Sequence, residues 1–189
     1  MSGLFDDPEP LRPTDRLFFA VFPDAGTAAR IAVLADGLRG QLNLRGRPLA
    51  PERFHITISH LGDYVGVPES VVEPATTAAA SLTAAPFEVT FDRAASFHGR
   101  SGNRPFVLRG GEGLAGVIAF QQQLGAAMVR SGLRPDRNFT PHVTLLYDDA
   151  LVPETPVAPI SWTAAELVLV HSLLGRTQHI ALRRWPLAA

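Results

Sequence analysis

Phe54-His-Ile-Thr-Ile58 returns late in the chain as Pro141-His-Val-Thr-Leu145. Each copy alternates apolar and polar residues with period two, the pattern of a strand that buries one face. Phe54, Ile56 and Ile58 fall on one side, with His55, Thr57 and Ser59 on the other. In the second copy His142 and Thr144 oppose Val143, Leu145 and Tyr147. Thr supplies 12 of the 189 residues and His 6. Thr two places after a given His is therefore about a 6% event, and two such pairs among the histidines about a 5% coincidence. Requiring apolar residues at the intervening and following positions in both copies lowers this to about a few in a thousand, so the pair is a signal. Two similar units set face to face would bring the copies to opposite walls of one cleft.

The flanking chain fits this plan. Leu17 to Phe22 reads as a buried strand closed by Pro23. Asp24 can cap a following helix with Ile31, Leu34, Ala35, Leu38 and Leu42 on its apolar stripe. Val67 to Ala85 is Ala-rich and helical in character, and Pro74 is expected to kink or divide it. Phe87 to Asp92 and Pro105 to Arg109 suggest a hairpin across a Gly-containing loop. Leu114, Val117, Ile118, Leu124 and Met128 mark an amphipathic helix that Gly132 can end. Glu166 to Leu174 and Thr177 to Trp185 form a last strand pair about a Gly175-Arg176 turn. Each motif copy is thus followed by a strand pair, and frequent hairpins favour an α+β architecture with antiparallel sheets.

Composition narrows the chemistry. With 46% hydrophobic and 19% charged residues the chain can bury one sizeable core, as a single domain or two lobes sharing it. Residues 1–15, acidic and proline-rich, are expected to be a flexible tail, and 16–189 a single bilobal domain. The tail lacks the basic and apolar run of a secretory signal, and no apolar stretch approaches the length of a bilayer span. A soluble cytoplasmic protein, monomeric and without an obligate protein partner, is the expectation. Basic and acidic residues number 17 and 18, so no strong field draws it to duplex nucleic acid or membrane. All the basic residues are Arg. Absence of Lys removes Schiff-base chemistry and the lysine of a phosphate loop, and absence of Cys removes thiol nucleophiles, disulfides and thiolate metal sites.

The residue types of the motif suit one another. An imidazole titrates near ~6.5, so close to neutrality one His can take a proton from an attacking group while another gives one to a leaving group. Displacement at phosphorus is in line, which requires base and acid to approach from opposite sides. Facing strands supply that arrangement. Each Thr, two residues on, can donate its hydroxyl to a non-bridging phosphoryl oxygen. No cofactor is implied, and no H-x-H or H-E-x-x-H spacing suggests a metal site.

On these residues the chain resembles the 2H phosphoesterase superfamily, whose twin H-x-T-x signature matches His55-Ile-Thr-Ile and His142-Val-Thr-Leu. It is most similar to the bacterial RNA 2′,3′-cyclic phosphodiesterases, also called 2′-5′ RNA ligases. The likeness runs over most of Arg16 to Leu187, through Arg16-Leu-Phe-Phe-Ala-Val21, Leu61-Gly62-Asp63, Phe139-Thr140-Pro141 and Trp185-Pro186-Leu187. It implies a bilobal α+β fold in which two pseudo-symmetric antiparallel sheets with flanking helices surround a central groove. It also implies metal-independent opening of a 2′,3′-cyclic phosphate at an RNA end to a 2′-phosphate, with 2′-5′ joining as a companion activity. His55 would be the acid protonating the departing O3′ and His142 the base, with Thr57 and Thr144 on the phosphoryl oxygens. The motif alone does not decide which His is the acid. Many relatives continue the second motif with Ala-Arg where this chain has Leu146-Tyr147, a departure that bears on ligation and substrate choice. Alternatives are a phosphodiesterase for small cyclic nucleotides or 2′-5′ oligonucleotides, and a non-catalytic binder of phosphorylated RNA ends.

Further candidates lie outside the motifs. Arg134 and Arg137 precede the second copy and can neutralise phosphate. His98 sits in a polar loop able to lip the groove. Phe54, Phe97 and Phe139 can stack on a base, although core packing is the simpler reading. His60 has the wrong parity to face His55, and packing or solvent is expected for it. His171 and His179 are read as structural or surface residues. Gly111-Glu-Gly113-Leu-Ala-Gly116 matches G-x-G-x-x-G but lacks a second βαβ half, so an ordinary tight turn is expected.

Overall fold

The computed structural model describes residues 11–100, 102–136 and 138–188. Chain order is β1 (Asp15–Val21), α1 (Ala25–Gln41), β2 (Ile56–Tyr64), α2 (Glu69–Ala80), β3 (Phe87–Ser96), β4 (Arg104–Arg109), α3 (Ala115–Arg130), β5 (Val143–Asp148), β6 (Thr155–Ala164), β7 (Glu166–Leu173) and β8 (Gln178–Pro186). The strands form two antiparallel sheets of four, in the orders β2-β1-β7-β8 and β5-β4-β3-β6. This is the expected α+β architecture. Of the tail expected over 1–15, residues 1–10 lie outside the described residues. Asp15 is no tail residue, because it opens β1 and is buried.

Local chemistry sets the elements. The Asp24 carboxylate accepts from the Thr27 backbone N–H at 2.9 Å and caps α1. Ile31, Ala35 and Leu38 on its stripe are buried. Gly132, at φ +82°, ends α3 as the Leu133 N–H reaches back to the Met128 carbonyl. Pro74 does not divide α2, which runs through it. A proline there removes a single helical hydrogen bond, and the helix is held by burial of Val72, Ala75, Ala78 and Ala79. One strand escaped the sequence reading: β6 carries Pro156 and Pro159 yet lies at a sheet edge, where missing N–H groups are tolerated.

The repeat is arranged differently from expectation. Strand pairs that follow each motif cross to the opposite half: β3 and β4 join the sheet of β5, while β7 and β8 join that of β2. The repeating unit instead precedes the motif. β1-α1-β2 and β4-α3-β5 are each a strand, a helix and a motif strand, with the outer pair hydrogen-bonded antiparallel. The helices also cross, α1 lying against β5 and β6 and α3 against β2 and β3. One hydrophobic cluster accordingly draws on both sheets, including Phe19, Ile56, Phe91, Phe106 and Leu145. Among the described residues no helix is long and apolar enough to cross a membrane.

Both motif strands carry a β-bulge one residue after the Thr. Thr57 pairs with Ala20 and Ser59 with Phe19, leaving Ile58 as the extra residue. Thr144 pairs with Val107 and Leu146 with Phe106, leaving Leu145. An extra residue reverses the alternation beyond it. Ile58 and Ser59 are therefore both buried, as are Leu145 and Leu146, and the next residue in each strand returns to the side of the motif.

Candidate active site

His55, Thr57, His142 and Thr144 line one cavity of about 370 Å³ between the two sheets. The twin motifs therefore meet, as their pattern required. Both imidazoles are held in the same way. His55 Nδ1 lies 2.7 Å from the Arg53 carbonyl, and His142 Nδ1 2.7 Å from the Thr140 carbonyl, each two residues upstream. A carbonyl can only accept, so Nδ1 carries the hydrogen in both rings and the neutral tautomer leaves the Nε2 lone pair free. In each motif the same short loop thus fixes the ring and selects its reactive nitrogen.

Their surroundings differ. The His55 ring stacks on Phe18 with centroids 5.1 Å apart, lies 5.6 Å from Phe22 and meets His179 edge-on at 5.4 Å. Burial, with smaller contributions from His179, His142 and Arg53, pushes its pKa down to about 4. His142 has one ring neighbour among the described residues, Phe97, edge-on at 4.9 Å. Burial lowers its pKa too, helped by the nearby Arg109 guanidinium. Both rings are accordingly held toward the neutral form that can accept a proton.

Bulges bring in residues that strict alternation excludes. His60 and Tyr147, each three places after its Thr, line the cavity, so the parity argument that sent His60 to packing or solvent fails at Ile58. Tyr147 likewise leaves the side of Val143 and joins His142 and Thr144. A double apolar pair, Leu145-Leu146, was the available signal for this reversal. Arg16 also lines the cavity and forks onto Asp63 through two 2.7 Å bonds, while His60 Nε2 lies 3.1 Å from the same carboxylate. Those contacts, the Arg16 bond first, hold the Asp63 pKa near 2.

His179 and Arg53 are also cavity residues. The surface or structural reading of His179 is thus corrected. His171 is structural as expected, its Nε2 bonded at 2.6 Å to the buried Asp15 carboxylate. Phe54 is not a stacking residue: it is 1% exposed within the core. His98 is exposed and lines, with Phe97 and Arg109, a neighbouring hollow rather than the histidine cavity itself. Arg134 is exposed and lines neither that hollow nor the histidine cavity. Arg137 lies outside the described residues. The G-x-G-x-x-G stretch is a tight turn, in which a Cβ on Gly113 would stand 2.6 Å from Thr90 Cβ. These glycines let the turn pack on β3.

Known proteins share this frame. An RNA 2′,3′-cyclic phosphodiesterase of Escherichia coli K12 is 29% identical over 147 residues, covering 75% of this chain and 80% of the relative. The crystal structure of E. coli LigT in apo form matches with a TM-score of 0.70 at 28% identity, over 94% of this chain and all of the other. LigT complexed with 3′-AMP matches at 0.69 and 27%, with the same coverage. A sequence profile described as the 2′-5′ RNA ligase superfamily spans residues 23–176, which include both His-x-Thr copies. With profile, fold and paired motif in agreement, this chain belongs to the 2′-5′ RNA ligase superfamily of 2H phosphoesterases.

Proposed function

We propose that the chain hydrolyses a 2′,3′-cyclic phosphate at an RNA end to a 2′-phosphate, with His142 as base and His55 as acid. The observation that carries the reading is two imidazoles in one cavity, each with Nδ1 tied to a carbonyl and Nε2 free, each accompanied by a Thr two residues on. His142 Nε2 takes a proton from water as its oxygen bonds to phosphorus. The P–O3′ bond breaks on the opposite side, and O3′ takes a proton from His55 Nε2. Thr57 and Thr144 hydroxyls donate to the non-bridging oxygens, where charge gathers. His55 acquires its proton when the phosphodiester anion arrives, because a neighbouring negative charge favours imidazolium. No step draws on a metal ion.

The relative named for this reaction and the 3′-AMP complex of LigT support a nucleotide end as substrate. Tyr147 offers a neutral hydroxyl where many relatives place a cation, which favours ring opening over 2′-5′ joining in this chain. The test is turnover in EDTA of an RNA ending in a 2′,3′-cyclic phosphate. Wild type should release a 2′-phosphate, and His55→Ala and His142→Ala should each lose about 10²-fold or more. Full activity in either variant, or a requirement for added metal, overturns the proposal.

A further inference from the structure

We infer that Arg53 and His179 form a second anion subsite in the same cleft, one that takes the phosphate 5′ to the reacting nucleotide. The identity of that phosphate rests on the phosphodiesterase reading above. Two nitrogens carry the inference: Arg53 Nε and His179 Nδ1 are both buried without a hydrogen-bond partner among the described residues. Buried polar groups in native proteins are nearly always paired, and both side chains line the cleft, where a bound anion can supply the partner. Oxygens of a phosphate suit both, since a guanidinium and an imidazole are each able to donate to an anion.

Charge points the same way. Of the basic side chains lining the cleft, Arg16 and His60 already share the Asp63 carboxylate. Among the described residues Arg53 makes no ion pair and no Asp or Glu lines this cavity, Asp136 lying in the hollow that adjoins it beyond Thr57 and His142. The Arg53 guanidinium is close enough to His55 and His179 to disfavour protonation of both. For His179 that effect adds to burial and takes the pKa to about 4. An anion between them would relieve this conflict.

Position selects the 5′-phosphate. Arg53 ends the single turn Pro51–Arg53 just before the motif, and its carbonyl holds the His55 ring. His179 stands at the start of β8, edge-on to both His55 and Phe18. The subsite therefore adjoins the reacting one on the His55 side, under the rim formed by the turn at Gly175 and Thr177. A nucleotide with a cyclic phosphate on one side of its ribose carries its next anion one sugar away.

The discriminating measurement is kcat/KM for adenosine 2′,3′-cyclic phosphate with and without a 5′-phosphate. Wild type should favour the 5′-phosphorylated compound about tenfold or more. Arg53→Gln should bring that ratio toward one and His179→Gln should lower it, whereas Arg176→Gln, an exposed arginine on the nearby turn, should leave it alone. An unchanged ratio in Arg53→Gln overturns the subsite. So does an equal loss on both substrates, which would put Arg53 on the reacting phosphoryl group. Calorimetry with adenosine 2′,5′-bisphosphate and adenosine 2′-monophosphate gives an arm that needs no turnover. A bisphosphate preference lost in Arg53→Gln, while the monophosphate still binds, supports the subsite and shows that the variant folds. No preference in wild type sinks the subsite, and preference without hydrolysis sinks only the phosphodiesterase reading.

Discussion

On the β2 wall of the cleft, His55 lies against Phe18 and Phe22 with His179 at its edge. On the β5 wall, His142 meets one aromatic ring among the described residues, Phe97, and Tyr147 in the same cavity is 43% exposed. Backbone and tautomer are the same on both sides, down to the bulge after the Thr and the 2.7 Å bond to a carbonyl two residues back. What differs is the enclosure around an equivalent ring. Identical geometry with unequal enclosure gives two equivalent rings different proton affinities, because burial changes proton affinity without moving the nitrogen.

Removing either ring should have the largest effect, and the way to sharpen the comparison is a substrate that needs no acid. With a nitrophenyl phosphodiester, whose leaving oxygen is a weak base, His55→Asn should lose far less than the about 10²-fold expected on RNA, while His142→Asn keeps its full loss. The opposite pattern would exchange the two roles. Next come the hydroxyls. Thr57→Val and Thr144→Val should each lower kcat by about 10-fold to 10²-fold with little change in KM, as expected for donors that act on transition-state charge. A loss confined to KM would make them mere anchors.

A smaller effect follows from the depressed imidazoles. His55 and His179 titrate near 4 when folded, against about 6.5 when unfolded. The unfolded chain therefore binds more protons between these values. Stability should be complete above about 6.5 and fall as pH drops toward 4. Asp15, Asp63 and Asp148, whose folded pKa values are also lowered, add to the loss below that range. In kcat/KM the two motif rings, His55 and His142, both lowered by burial, should place the optimum below about 6.5, the two limbs belonging to that pair jointly. NMR titration showing His55 near an ordinary value would erase the contrast between the walls.

Smallest in its effect on chemistry, Gly46→Ala tests how the two walls are tied. The Arg45 and Gly46 N–H groups donate to the Asp148 carboxylate at 2.6 Å, and the Leu49 N–H donates to the Leu145 carbonyl, so the loop leading to His55 is strapped to the strand of Thr144. A Cβ on Gly46 would stand 2.0 Å from the Tyr147 carbonyl oxygen. Chemical denaturation should show a cost of about 1–3 kcal/mol. An undisturbed midpoint would mean that the strap is slack.

Much of this was legible in the chain. Periodicity located the motif strands, the Asp24 cap and all three helices, and the paired motif specified a shared cleft. Alternation failed beyond Thr57 and Thr144, because a period-two rule cannot register one inserted residue, and it hid His60 and Tyr147. β6 was obscured by Pro156 and Pro159, whose cost depends on lying at an edge that only the sheet order reveals. Exchange of hairpins between halves left no local trace. Arg53 was equally silent, since nothing in Pro51-Glu52-Arg53 distinguishes a cleft residue from a solvated turn until β8 delivers His179 beside it.

The bulges give the protein an adjustable fitting. Since Ile58 and Leu145 absorb the change of parity, the side chains at 60 and 147 project into the binding space without any share in the hydrophobic interior. Ligand preference can therefore drift by single replacements at those two points while the imidazoles stay where they are. A lineage could explore new substrates there without dismantling its chemistry.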